Sequence, residues 1–160
     1  MPTRFRQWVE AGKKERYQEV LALIPQPIET RSHSTTSIVL AKLLTEIRQW
    51  SPARRRNTEG EYKIELRKHL ESRHYEINEE FGESKLDLVV SKRYAVETKK
   101  DPQLSDYDRL FGQIARHLQQ HLVVIVVIFD VPSEDKFDNF KKLVDTHLNV
   151  NEFTVEIVKK

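Results

Sequence analysis

An uninterrupted apolar run in the last third of the chain limits the possible folds most. Residues 122–129 read Leu-Val-Val-Ile-Val-Val-Ile-Phe, with a histidine before them and an aspartate after them. The run has the length of a β-strand, and its lack of alternation predicts a strand that is buried on both faces. Such a strand needs packed layers on both sides of its sheet, which favours an α/β architecture.

The sequence after residue 58 supplies the other elements of that architecture. Thr58 and Glu61 have the spacing of a capping box, which predicts a helix that ends near Arg73. Two apolar runs around a polar turn at residues 91–93 predict a β-hairpin. The remaining predicted elements are a strand over residues 74–81, a helix over 105–120, a helix over 133–147 and a strand over 153–158. Together these patterns predict a mixed β-sheet flanked by helices, in the order α-β-β-β-α-β-α-β.

The spacing of apolar residues in the first third of the chain predicts an N-terminal helical segment. Apolar residues recur at helical spacing over residues 5–24, and a second helical pattern ends near Trp50. A polar linker with three consecutive arginines follows at residues 51–58. We therefore expect two parts, an N-terminal helical segment over residues 1–57 and a main domain over residues 58–160.

Charge is unevenly spread between these parts. The net charge is +2, but residues 1–58 hold 11 Lys and Arg against 5 Asp and Glu, whereas residues 59–160 hold 16 against 20. A basic segment joined to an acidic one predicts contact with a polyanion such as DNA. The same imbalance fits a basic face that packs on an acidic one. The N-terminal helices are thus expected to supply either DNA affinity or the interface of a homodimer.

Composition excludes several classes of site and location. The chain has no cysteine, which excludes disulfides and thiolate zinc sites. Its apolar runs are too short to span a membrane, and its first residues lack the pattern of a secretory signal. With 32% charged residues, we expect a cytoplasmic protein that does not associate with membranes.

Charged residues in the predicted hairpin indicate a metal site. If the hairpin is centred near Lys92, alternation places Asp87 opposite Glu97, with Lys99 two residues further along the same face. Like charges directly opposite each other destabilise a hairpin, so we expect a cation between them. Two carboxylates suit Mg²⁺ or Mn²⁺, and a nearby lysine can orient water or offset charge on a phosphate. A solvated hairpin face with scattered charges is the alternative.

The order of elements and these residues resemble the PD-(D/E)xK nuclease superfamily, also called restriction-endonuclease-like. The resemblance covers roughly residues 58–130. Asp87 matches the first acid of the motif, and residues 97–99, Glu-Thr-Lys, match its (D/E)-x-K part. Residues 82–87 are also similar to the approach to the site in Holliday-junction resolvases.

A further match lies on the predicted helix that follows the hairpin. Gln113 matches the glutamine of the Gln-x-x-x-Tyr element found in RecB-like branches of the superfamily. His117 stands where the tyrosine of that element is usual, so only the glutamine carries over.

The resemblance implies a set of metal ligands. Asp87 and Glu97 would bind Mg²⁺ or Mn²⁺, helped by the backbone carbonyl of Thr98. The family also carries a glutamate on the helix before the hairpin, for which we prefer Glu65 over Glu61.

The resemblance also implies an activity, namely metal-dependent hydrolysis of DNA phosphodiester bonds by an endonuclease of repair, recombination or defence. Lys99 would orient the attacking water and stabilise the transition state, and Gln113 would position the substrate or the lysine. One alternative is a DNA-binding or assembly module without catalysis on the same fold. Another is a nuclease domain that stays silent until its N-terminal helices bind a protein partner.

Overall fold

Four helices flank a five-stranded mixed sheet in the computed structural model, which describes residues 18, 33–79, 88–150 and 152–160. The helices are α1 (His33–Gln49), α2 (Glu59–Ser72), α3 (Leu104–His117) and α4 (Glu134–His147). The strands are β1 (Ile77–Asn78), β2 (Leu88–Val90), β3 (Tyr94–Lys100), β4 (Val123–Phe129) and β5 (Thr154–Lys159). This order confirms the predicted succession of elements after residue 58. The helix predicted over residues 5–24 lies outside the described residues, except for Gln18, which is helical.

The sheet has the strand order β1-β2-β3-β4-β5. The β1–β2 and β2–β3 pairs are antiparallel, whereas β3, β4 and β5 run parallel. The carboxyl ends of these three parallel strands therefore meet at one edge of the sheet, called here the carboxyl edge.

The β2–β3 hairpin has the predicted centre. Leu88 pairs with Val96, and Val90 pairs with Tyr94, so the register is symmetric about Lys92. Ser91 and Lys92 both have positive φ angles, of 52° and 57°. Positive φ at both central residues is the backbone of the tight turns that match the twist of paired strands.

Strand β4 is buried at all seven positions, as its sequence predicts. Val124, Val126 and Ile128 belong to the core that contains α3 and α4. The alternate residues pack into the core that contains α1 and α2. Two helical layers thus cover the two faces of this strand.

Helix α1 contributes to the second of these cores. Leu43, Leu44, Ile47 and Trp50 are buried in one cluster with residues of the sheet. These residues share that core with α2 and the sheet, and the division between residues 57 and 58 stays a prediction. Ile38, in contrast, is 60% exposed.

Lys160, which directly follows β5, holds the end of α1 in place. The Lys160 ammonium donates hydrogen bonds to the backbone carbonyls of Arg48, at 2.6 Å, and of Trp50. Burial lowers the pKa of this ammonium group. These bonds satisfy carbonyls that an α-helix end leaves without partners.

The predicted capping box of α2 is present. The Glu61 amide donates to the Thr58 hydroxyl at 3.3 Å, and the Thr58 amide donates to the Glu61 carboxylate at 2.9 Å. None of the helices in the described part of the chain is long and apolar enough to cross a membrane.

Candidate functional site

Strand β3 changes from apolar to polar halfway along its length. Its first three residues are apolar and buried, and its last four are Glu97, Thr98, Lys99 and Lys100. Alternation places Glu97 and Lys99 on the same face as Ala95, which packs in the core with α3 and α4. The polar half of β3 therefore lies beside α3 and reaches the carboxyl edge.

The Glu97 carboxylate is paired with an imidazole in the interior. Glu97 and His117 are each only 3% exposed, and the His117 Nε2 atom lies 3.1 Å from the Glu97 Oε2 atom. A carboxylate is costly to bury unless it is paired and hydrogen-bonded, so this contact stabilises Glu97 in its place. His117 was missed as a site residue. Its spacing of four residues from Gln113, which puts both on one face of α3, is the signal that identifies it.

Gln113 lies one turn of α3 before His117 and has a buried acceptor. Its Oε1 atom is buried and has no hydrogen-bond partner in the described residues. Buried acceptors in folded proteins nearly always have a partner, so this oxygen marks a position where a water molecule or a ligand would be bound.

The Lys99 ammonium meets a carboxylate that sequence reasoning missed. Its Nζ atom lies 3.6 Å from the Glu59 Oε2 atom, and the Lys100 amide donates to the same oxygen at 3.1 Å. Glu59 is the first residue of α2. The end of β3 is therefore joined to the start of α2 through Glu59, although no local pattern marks Glu59 as different from Glu61.

The two glutamates considered from the sequence contact other groups. Glu65 accepts hydrogen bonds from the Ala53 amide and from the Arg56 Nε atom, both at 2.7 Å. The Arg56 hydrogen bond holds the pKa of Glu65 below its usual value. Glu61 belongs to the capping box, where hydrogen bonds from Thr58 lower its pKa. Glu59 is thus the α2 glutamate that contacts Lys99, and metal binding by Glu65 stays a prediction.

The other predicted ligands are placed only in part. Asp87 lies outside the described residues. Thr98 is fully buried, on the face of β3 opposite to Glu97, and metal binding by its carbonyl stays a prediction. The described ranges contain no group of three or more His, Asp or Glu side chains that could hold a metal ion. The donors that are described, the Glu97 carboxylate and the Gln113 amide oxygen, are oxygen atoms of the kind that Mg²⁺ and Mn²⁺ bind.

A second charged cluster lies at the carboxyl edge beside Lys99. Asp130 follows β4 and has a positive φ of 53°. Its carboxylate accepts a hydrogen bond from the Tyr62 hydroxyl at 2.9 Å and lies 3.3 Å from the Arg55 Nε atom and 3.7 Å from the Lys100 Nζ atom.

No protein-family model, curated protein or solved structure matches this chain. The features that bear on its function are therefore the polar half of β3, the Gln113–His117 face of α3 and the charged carboxyl edge.

Proposed function

We propose that this chain is a divalent-metal-dependent nuclease that hydrolyses DNA phosphodiester bonds, with a restriction-endonuclease-like arrangement of the sheet. The observation that carries the proposal is the polar half of β3. Glu97 is buried against His117, and Lys99 follows two residues later on the same face, at the carboxyl edge. The hairpin register about Lys92, from which the facing of Asp87 and Glu97 was inferred, supports the proposal.

Each described residue has a role that its contacts support. The His117 ring contacts one oxygen of the Glu97 carboxylate and so fixes the orientation of this side chain. Glu59 holds the Lys99 ammonium, which orients the attacking water and offsets charge on the phosphate. Gln113 offers its unpartnered oxygen to the water or the substrate.

Asp87 and Glu97 are the proposed ligands of Mg²⁺ or Mn²⁺, with Thr98 and Glu65 as further ligands expected from the resemblance. When bound, such a cation supplies Lewis acidity at the scissile phosphate.

The test is a nicking assay on supercoiled plasmid with the full chain. We expect cleavage with Mg²⁺ or Mn²⁺, none in EDTA, and recovery when the metal is added back, because the proposed ligands are oxygen atoms. Linear, single-stranded and branched DNAs, tested in parallel, define the preferred substrate. Undiminished cleavage in EDTA would disprove the metal-dependent mechanism.

One observation favours a second candidate function, a DNA-binding or assembly module without catalysis. The Glu97 carboxylate already has a buried hydrogen-bond partner in His117, so this side chain can be held in place without a metal. DNA binding without cleavage under all metal conditions would select this candidate. Homodimerisation, DNA contact by the N-terminal segment and a cytoplasmic location stay predictions.

A further inference from the structure

The linker between α1 and α2 carries three consecutive arginines, Arg54, Arg55 and Arg56, on a backbone that is held in place. The Ala53 amide donates to Glu65 at 2.7 Å, and the Arg56 amide donates to the Tyr62 hydroxyl at 3.0 Å. These bonds tie the linker to successive turns of α2. The arginines therefore start from a fixed main chain.

The three arginines have different environments. The Arg56 side chain is 22% exposed and paired with Glu65 at 2.7 Å, so it serves to hold the linker. The Arg55 side chain is 73% exposed, and Arg54 is also exposed. One arginine thus fixes the segment, and the other two project from it.

One of the two exposed arginines, Arg55, lies next to the end of β3. Arg55 and Lys100 both contact the Asp130 carboxylate, at 3.3 Å and 3.7 Å. Arg55 thus shares the Asp130 carboxylate with a second cation, Lys100. An exposed ion pair such as Arg55–Asp130 contributes little to stability, and Arg55 can exchange its partner at low cost.

We propose that Arg54 and Arg55, together with Lys100, form a surface that contacts the sugar–phosphate backbone of duplex DNA and guides the strand toward Lys99. This inference rests on the proposed function and names how the substrate is held. Arginine presents a planar fork that fits phosphate oxygens, and contacts to phosphates position a protein on DNA. Because the linker backbone is already ordered, binding loses less conformational entropy than it would with a flexible loop.

The test measures binding of the full chain to a fluorescein-labelled DNA duplex by anisotropy in EDTA, over a range of salt concentrations. Arg54→Gln/Arg55→Gln is compared with Lys141→Gln/Lys142→Gln, which removes the same charge from two exposed adjacent lysines of α4, against the other face of the sheet. Each phosphate contact contributes a slope of about 0.9 to the fall of log affinity with log salt. We expect the arginine variant to bind at least tenfold more weakly, with a slope that is smaller by about 2. The lysine variant should keep the parental slope.

Equal losses in the two variants would show an effect of net charge alone and would overturn the inference, as would parental binding by the arginine variant or no binding by the parent. Thermal unfolding checks that each variant is folded. If the double arginine variant does not fold, Arg54→Gln alone serves, with a slope smaller by about 0.9. Because binding is measured without metal, the inference survives if the chain does not cleave DNA, and that outcome refutes only the enzymatic part of the proposed function.

Discussion

Strands β3 and β4 are neighbours of equal length, yet their second halves differ in polarity. They pair in parallel over seven positions, with Glu97 beside Val126 and Lys99 beside Ile128. Strand β4 is apolar throughout, whereas β3 is polar over its second half. The positions are comparable in the sheet, so the apolar sequence of β4 shows what packing alone requires. Packing does not require the charged residues of β3. A buried polar residue therefore says more about function than a buried apolar one does.

The largest expected difference between the two strands concerns turnover. Glu97→Gln and Lys99→Ala should each lower the cleavage rate by about 10²–10³-fold, because loss of a single contact that stabilises developing charge has this effect. The combined variant should lose far less than the product of the two effects, since residues that act as a unit are not additive. Single-turnover cleavage at saturating metal measures both.

The matched control for this prediction lies on β4. Ile125→Val removes one methyl group from a fully buried residue, and should lower the free energy of unfolding by about 1 kcal/mol while leaving cleavage unchanged. Parental turnover in Lys99→Ala would refute the assignment of the site to β3.

A smaller effect is expected on the free energy of unfolding when the Glu97–His117 pair is broken. His117→Leu removes the partner of a buried carboxylate and should lower the free energy of unfolding by about 3 kcal/mol. Glu97→Val/His117→Leu, which makes this part of β3 resemble β4, should recover most of that loss, because a buried pair can often be replaced by apolar residues without penalty. Urea unfolding of the two variants tests this.

A double variant as unstable as His117→Leu would indicate that the pair organises the core beyond its own charges. The double variant should also be unable to cleave DNA. A stable but inactive variant would show that Glu97 is needed for cleavage and not for the fold.

The smallest expected effect is that of replacing Glu65. It tests whether this glutamate holds the linker between α1 and α2 in place. Arg56 lowers the pKa of Glu65 in the folded protein, so its contribution to stability is present above the unfolded pKa and is lost as pH falls through the folded value. Glu65→Gln should therefore cost about 1.5 kcal/mol at pH 7 and clearly less at pH 3. Urea unfolding at the two pH values measures the difference.

Glu71→Gln is the control on the same helix, because Glu71 forms an exposed pair with Arg67. That variant should change the free energy of unfolding by less than about 1 kcal/mol at either pH. Equal losses for Glu65→Gln at pH 7 and pH 3 would contradict the linker role.

Local signals predicted the fold well. The Thr58–Glu61 capping box marks the start of α2 because its partners are three residues apart. The hairpin register follows from two apolar runs and a short turn, and the burial of β4 follows from its composition. Each of these features depends on residues that are close in sequence.

The site was predicted less completely, because its contacts join distant parts of the chain. Glu59 and Lys99 are 40 residues apart in the sequence and meet only when the start of α2 packs at the end of β3. Glu97 and His117 meet across a strand and a helix. The motif identified Glu97 and Lys99, but it held no information about the partners that these side chains find in the folded chain.

The hydrogen bonds from Lys160 to the end of α1 have a consequence for synthesis on the ribosome. They join residues 110 and 112 positions apart, and Lys160 follows directly after β5, itself paired with β4. Contacts between such distant residues form late and slow the folding of a domain. While the chain is being translated, the carbonyls of Arg48 and Trp50 cannot accept these hydrogen bonds until residue 160 has left the exit tunnel. The end of a helix that is made early is thus completed by a residue that is made more than a hundred positions later.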